Sequence, residues 1–132
     1  MLSSTSDYAV RAILALAQAD PGRPMRADEV ARVTGAPANY LAKTLNALAK
    51  AGIVTSARGP RGGFALALPA EKLTLARIVD CFDDAKPATQ CLLGTRQCDA
   101  RNPCRAHERW TAVQQSRRAA LADTTVADLL AA

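Results

Sequence analysis

The chain has 132 residues and a net charge of +5, and nearly half of its residues are apolar. This length supports one domain with a real core, and the apolar content argues against intrinsic disorder. No apolar run is long enough to span a bilayer, and the Met1–Asp7 segment shows no secretory pattern. We therefore expect a cytoplasmic protein.

Two helices are predicted in the first part of the chain. Apolar residues recur with helical period over Tyr8–Ala19, and Ser6 or Thr5 is the predicted cap. A second, short helix is predicted over residues 27–34. Gly35 suits the position just past its end.

A third helix is predicted over residues 37–52. Leu41, Leu45 and Leu48 form its apolar stripe, at spacings of four and three. The tight turn at 34–36 joins it to the second helix, which makes the pair a candidate helix-turn-helix, and we expect the third helix to be the one that reads DNA. Its opposite side carries Asn39, Lys43 and Asn46.

A β-hairpin is predicted directly after the third helix. Strands at 53–56 and 64–68 flank the sequence ARGPRGG, whose glycines and proline favour a turn. Arg58 and Arg61 lie in this turn, and Pro69 closes the hairpin. A hairpin tipped with arginines after a helix-turn-helix is typical of a wing.

The charge distribution supports contact with DNA. There is no acidic residue between Glu29 and Glu71, and the basic residues of this window account for the whole net charge. Such a basic face suits a polyanion. We expect DNA contacts from Asn39, Tyr40 and Lys43 of the third helix and from Arg58, Gly59 and Arg61 of the wing.

Beyond the hairpin, a fourth helix capped by Thr74 is predicted, with Leu75, Ile78, Val79 and Phe82 as its apolar stripe. Cys81 lies on this helix. Because no second ligand is close in sequence, we interpret it as a small buried apolar residue.

The end of the chain predicts two more helices. A long helix over residues 103–121 carries Trp110 and Val113 on its apolar side. We expect that side to pair with a second copy of the chain. Thr124 or Thr125 caps a last short helix, VADLL.

A cysteine-rich segment precedes the long helix. Six residues separate Cys91 from Cys98, five separate Cys98 from Cys104, and two separate Cys104 from the single histidine, His107. Thiolates and neutral imidazole select zinc, copper or iron–sulfur clusters over hard cations. The four side chains therefore predict a metal site.

The Asn102–Pro103 pair reads as a helix cap followed by the first helical position. This predicts Cys104 in a first helical turn, where the macrodipole favours the thiolate. Cys104 and His107 would then share one face of the helix.

Several of these stretches resemble the bacterial Rrf2 family of winged-helix regulators, which includes IscR-like and NsrR-like proteins. The stretch SDYAVRAILALA resembles the first helix of that family, and YLAKTLNALAKAGIVTSARGPRGGFAL resembles its reading helix and wing. The Cys91, Cys98 and Cys104 triplet resembles the cluster ligands, and TTVADLL resembles the C-terminal signature. The resemblance covers almost the whole chain.

The resemblance implies a fold that is mainly α with a small β-hairpin wing. It also implies a homodimeric regulator that binds a pseudo-palindromic operator in double-stranded DNA. We expect this regulator to be a repressor rather than an activator. An iron–sulfur cluster, 2Fe-2S or 4Fe-4S, would control that binding in response to nitric oxide, redox state or the supply of iron or clusters. The interval from Cys91 to Cys98 is one residue longer than in IscR-like members. Ala42 stands where those members carry an acidic residue, so a different operator is expected.

Two residues are candidates for the fourth ligand. His107 matches the spacing of IscR-like proteins, whereas Asp7 matches the position from which NsrR-like proteins reach the partner subunit's cluster. We favour His107, because imidazole is the more usual partner of thiolates and its spacing needs no second chain.

The predicted organisation has three parts: a winged domain at 1–82, a cysteine-rich loop at 83–102, and a dimerisation helix with the last short helix at 103–132. Two other readings share this fold. Three cysteines and a histidine also satisfy tetrahedral zinc, and cysteines without a cluster can sense redox state. No Ser–His–acid set, phosphate loop or carboxylate pair is apparent, so we do not expect an enzyme.

Overall fold

The computed structural model describes residues 2–19, 23–83, 101 and 104–131, and over them it is mainly helical with one hairpin, as predicted. No helix of the described part is long and apolar enough to cross a membrane. A short 3₁₀ turn, Ala70–Lys72, follows the hairpin. In chain order the elements are α1 (Ser4–Gln18), α2 (Ala27–Thr34), α3 (Ala38–Lys50), β1 (Val54–Ala57), β2 (Gly63–Leu66), α4 (Leu75–Val79), α5 (His107–Asp123) and α6 (Val126–Leu130).

The start of α1 differs from the prediction. The helix begins at Ser4, and its cap is Ser3 rather than Ser6 or Thr5. The Ser6 backbone N–H donates to Ser3 Oγ at 3.2 Å. Ser6 lies inside the helix and is 0% exposed, on the face that also buries Ile13, so its side chain is directed into the core.

The core lies between α1, α2 and α3. Leu41, Leu45 and Leu48 of α3 are fully buried, as predicted, and they pack with Ile13 of α1 and Val30 of α2. Burial of a side chain of this size contributes about 1.5–3 kcal/mol. The apolar stripe therefore fixes the rotation of α3 and directs its polar face outward.

The turn between α2 and α3 is the predicted one. Gly35 follows α2 with φ of 74°, and α3 begins directly after Pro37. Thr34 Oγ1 donates to the Val30 carbonyl at 2.8 Å and accepts from the Ala36 N–H at 3.4 Å. The two helices are thus connected by a short, internally bonded turn, as in a helix-turn-helix.

A third backbone segment pairs with the two strands of the hairpin, and no pattern in the sequence predicts this pairing. β1 and β2 pair antiparallel, with Val54 opposite Leu66. Met25 donates its N–H to the Phe64 carbonyl at 2.9 Å and accepts from the Phe64 N–H at 2.7 Å. Gly63 permits this approach, because a Cβ there would lie 2.5 Å from the Met25 carbonyl oxygen. The wing is therefore fixed to the segment that leads into α2.

The fourth helix is shorter than predicted. Thr74 caps it, accepting from the Arg77 N–H at 3.4 Å, but it ends at Val79. Cys81 and Phe82 consequently lie beyond the helix. Their N–H groups donate to carbonyls three residues back, at 3.2 and 3.0 Å, which is a tighter turn than the α-helical pattern.

The last helix packs back onto the N-terminal core. Val126 is fully buried, and its N–H donates to the Leu73 carbonyl at 2.9 Å. Thr125 and Asp128 form a capping box, which confirms Thr125 among the two predicted caps. Hydrogen bonds from the backbone and side chain of Thr125 hold the pKa of the Asp128 carboxyl below its ordinary value. The division of the chain into three parts stays a prediction. The last helix, which that division assigns to the third part, packs in the same core as the winged part.

Candidate DNA-binding surface and cysteine site

The outer face of α3 is polar and exposed. Asn39, Lys43, Asn46 and Lys50 recur at helical spacing on this face, and each is exposed. α3 contains no acidic residue. The face offers amide and ammonium groups that suit base edges and phosphates in a major groove.

Tyr40 is held at the start of α3 by contacts with α1. Its ring meets the ring of Tyr8 edge to face, with centroids 5.6 Å apart, and its hydroxyl is hydrogen-bonded to Thr5 Oγ1. The residue is still 37% exposed. Tyr40 therefore anchors α3 to α1 while one part of its side chain faces solvent.

The tip of the wing presents the predicted basic side chains. Arg58, Gly59 and Arg61 are all exposed, and the Gly62 N–H donates to the Gly59 carbonyl at 2.9 Å to close the turn. Neither arginine forms an ion pair with another described residue. The structure thus brings the six predicted DNA-binding residues into two exposed elements, α3 and the wing.

The start of α5 corrects one prediction about the cysteine site. α5 begins at His107, so Cys104 lies outside the helix and the two do not share a helix face. The His107 N–H donates to the Cys104 carbonyl at 3.0 Å, a bond to the third residue back that is typical of helix ends. The first α-type bond there runs from the Trp110 N–H to the Ala106 carbonyl, at 2.8 Å. This turn still brings Cys104 and His107 together, and both line one cleft of 620 Å³.

The other parts of the predicted site are not all described. Cys91, Cys98 and the Asn102–Pro103 pair lie outside the described residues. Asp7 lies in the first turn of α1, where its carboxylate pairs with Arg11 at 3.1 Å and is 43% exposed. The choice between His107 and Asp7 as fourth ligand stays a prediction.

Cys81 has the environment of a structural thiol. Its Sγ donates to the Arg77 carbonyl at 3.3 Å. Burial, and then the nearby Asp80 carboxylate, raise the pKa of this thiol. A protonated thiol is a poor nucleophile and a poor metal ligand, so Cys81 does not resemble a reactive cysteine.

Asp83 connects three parts of the chain and had no signal in the sequence. Its carboxylate accepts from Ser3 Oγ at 2.6 Å, and it lies 3.8 Å from the Arg117 guanidinium of α5. Asp83 is also the last described residue before the cysteine-rich segment. Partners this far apart in sequence leave no local pattern from which the contact could be predicted.

Residues 2–132 match the Rrf2 family, described as iron-dependent transcriptional regulators. A protein of Aquifex aeolicus (strain VF5), named as an HTH-type transcriptional regulator, is 36% identical over 132 residues, which cover 98% of this chain and 91% of the relative. A Haemophilus influenzae protein with the same name is 31% identical over 129 residues, which cover 98% of this chain and 85% of the relative.

Solved structures show the same fold. T. potens IscR matches with a TM-score of 0.78 and 27% identity, covering 98% of this chain and 85% of its own. CymR (YrzC), the global cysteine regulator of B. subtilis, matches with a TM-score of 0.79 and 22% identity, covering 98% and 95%. The second likeness concerns the fold alone.

These relatives are regulators of transcription, which confirms the expectation that the chain is not an enzyme. The family match spans almost the whole chain and includes the helix-turn-helix, the wing and the C-terminal helices. The chain therefore belongs to the Rrf2 family of transcriptional regulators.

Proposed function

We propose that this regulator binds its operator as a homodimer under the control of an iron–sulfur cluster held by Cys91, Cys98, Cys104 and His107. The observation that carries the proposal is the cleft at the start of α5, where Cys104 and His107 lie together. Thiolates with an imidazole form a donor set that suits such a cluster. The description of the family as iron-dependent also supports it. When bound, a cluster supplies sensitivity to nitric oxide, oxidation or iron supply.

DNA binding is proposed to use α3 in the major groove and the wing against phosphates or a narrow minor groove. The exposed Asn39, Tyr40 and Lys43 would face the first, and Arg58 and Arg61 the second. Together these residues contribute three positive charges and no negative one.

The wing is tested by an Arg58→Ala/Arg61→Ala double variant in operator titrations over a range of salt. Each arginine that contacts a base should cost about 1–3 kcal/mol, and each that contacts a phosphate should make the salt dependence shallower. Unchanged affinity together with an unchanged salt slope would remove the wing from the interface.

A dimer through α5 is proposed because no residue of this helix is buried within the chain. Val113 is 56% exposed, and Trp110 is half-buried. A two-fold dimer would match a pseudo-palindromic operator.

The proposed switch acts through the cysteine-rich segment. Cys91 and Cys98 belong to that segment, while Cys104 and His107 lie at the start of α5. A cluster bound by all four side chains would therefore join the segment to α5. Loss of that ligation would free the segment and shift the equilibrium between DNA-competent and incompetent states. A hundredfold change in operator affinity requires a bias of about 2.7 kcal/mol, which is within the usual range of allosteric coupling.

The cluster is tested by anaerobic purification, with absorbance and Mössbauer spectra and analysis of iron and sulfide. Single Ala substitutions at Cys91, Cys98 or Cys104 should remove iron and change operator affinity together. Cys81→Ala is the matched control and should do neither. Equal operator affinity for iron-loaded and iron-free wild type would contradict the switch.

The fourth ligand is tested by comparing His107→Ala with Asp7→Ala. His107→Ala should give a labile or spectrally altered cluster, whereas Asp7→Ala should leave it intact. The opposite result would assign the fourth ligand to the partner subunit.

Zinc on the same four side chains is the second candidate, because three cysteines and a histidine also satisfy tetrahedral zinc. A thiol switch without metal is the third candidate. It would have to use Cys91, Cys98 or Cys104, since the raised pKa of Cys81 makes its thiol a poor nucleophile. Metal analysis separates the three candidates, because the protein would carry iron with sulfide, zinc, or neither.

A further inference from the structure

A basic cleft lies between the wing and the start of α2, and none of its lining residues belongs to α3. Arg23 and Arg26 line it from the segment before α2, and Arg61 lines it from the wing tip. The cleft has a volume of 430 Å³. Glu29 of α2 contributes the one carboxylate among its lining residues, so the charges around the cleft sum to a positive value.

The three guanidinium groups are available to a ligand. All three arginines are exposed, and within the described part of the chain none of them forms an ion pair, with Glu29 or with any other residue. Arg26 occupies the cap position of α2, but its side chain makes no capping hydrogen bond. A guanidinium has donors only and cannot accept from the free N–H groups of the first turn, so this side chain does not cap the helix.

The backbone holds the two sides of the cleft at a fixed separation. The paired hydrogen bonds between Met25 and Phe64, 2.9 and 2.7 Å long, join the segment that carries Arg23 and Arg26 to the strand that leaves the wing tip. The three arginines lie close together despite their like charges, because the pairing of the backbone, rather than contacts between side chains, determines their positions.

We propose that this arginine cleft binds a backbone phosphate of operator DNA and so extends the protein–DNA interface beyond α3 and the wing tip. The inference rests on the DNA binding proposed above and adds Arg23 and Arg26 to it. Guanidinium groups bind phosphate oxygens through two parallel hydrogen bonds, and a duplex bound at the wing carries a row of phosphates beside it. The Glu29 carboxylate opposes this binding and limits its strength.

The test uses a duplex selected from random sequences by the wild-type protein. The double variant Arg23→Gln/Arg26→Gln should bind that duplex about tenfold more weakly at moderate salt, and its salt slope should fall by about one per bound protomer, because one phosphate contact is lost in each. Lys72→Gln/Arg77→Gln removes the same charge from exposed positions outside the cleft and should change both quantities much less. Phosphates whose ethylation blocks the wild type but not the Arg23/Arg26 variant would be the ones that the cleft contacts.

Two single variants separate phosphate binding from effects on folding. Arg26→Asp introduces a good helix cap, so it should preserve or raise the melting temperature of the protein while it weakens DNA binding. Glu29→Gln should strengthen DNA binding, because it removes the opposing charge. Salt slopes equal to the wild type in the double variant would overturn the arginine cleft while DNA binding stands. A wild-type protein that enriches no duplex would overturn both proposals.

Discussion

At the scale of single residues, two serines near the start of the chain have opposite roles. Ser3 caps α1 and also donates to Asp83, so its hydroxyl satisfies two polar groups. Ser6 is fully buried, and its Oγ has no hydrogen-bond partner among the described residues. A serine side chain therefore stabilises the fold at Ser3, whereas at Ser6 it carries a buried polar atom with no partner among the described residues.

Replacing each serine by alanine should change stability in opposite directions. Ser6→Ala should raise the free energy of unfolding by about 1 kcal/mol, because it removes a buried hydroxyl that gains no hydrogen bond. Ser3→Ala should lower it by about 1–2 kcal/mol through loss of the cap and of the Asp83 contact. Urea denaturation of both variants measures the two changes. A loss of stability in Ser6→Ala would show that its hydroxyl has a partner.

At the scale of the elements, the wing depends on its pairing with Met25. Gly63 has φ of 150°, and a Cβ at this position would contact the Met25 backbone at 2.5 Å. Gly63→Ala should therefore separate β2 from Met25 and lower the free energy of unfolding by about 1–3 kcal/mol. Amide hydrogen exchange should show loss of protection at Met25 and Phe64.

Gly59→Ala is the matched control for that variant. Gly59 also has positive φ, at 104°, but a Cβ there would have no neighbour within 4 Å. Its cost should be limited to backbone strain, about 1–2 kcal/mol, and protection at Met25 should remain. Equal exchange at Met25 in the two variants would contradict the role assigned to Gly63.

The elements that could be predicted from the sequence have strong local patterns. The leucine stripe of α3, the Gly35 turn and the glycine-rich wing each arise from residues close together in the chain, and all three are as predicted. The third pairing partner of the hairpin could not be predicted, because a single residue pair such as Met25 and Phe64 produces no periodicity.

Helix ends were the least predictable features, for reasons that differ. Residue type alone does not identify Ser3 as the cap, because Ser6 is an equally good cap by type and only the packing of α1 decides between them. At α4 and α5 the chain switches to bonds with the third residue back, which shortens α4 before Cys81 and delays α5 until His107. Of the predicted site, α3 and the wing are exposed as expected, whereas the ligand set is described only at Cys104 and His107.

At the scale of the whole molecule, the exposed side of α5 should determine the oligomeric state. Val113→Glu places a charge on this side at a residue that is 56% exposed, so it should not disturb the fold of one chain. In a dimer through α5 it would bury that charge, and sedimentation velocity should then show monomers.

The control for this variant is Val33→Glu on α2, where the valine is 66% exposed. It makes the same chemical change away from α5 and should leave the dimer intact. A Val113→Glu protein that sediments as a stable dimer would place the interface elsewhere.

The contacts of Asp83 also affect the entropy of the chain. Twenty residues lie between Asp83 and Cys104. Asp83 is held by Ser3 and Arg117, and the Cys104 carbonyl is bonded at the start of α5. The length-dependent entropy of bringing together two points that far apart in a chain costs about 2.7 kcal/mol. Because folding of the described helices fixes the positions of Asp83 and Cys104, an ion or cluster bound by the cysteines need not supply this entropy, and its affinity would not include that term.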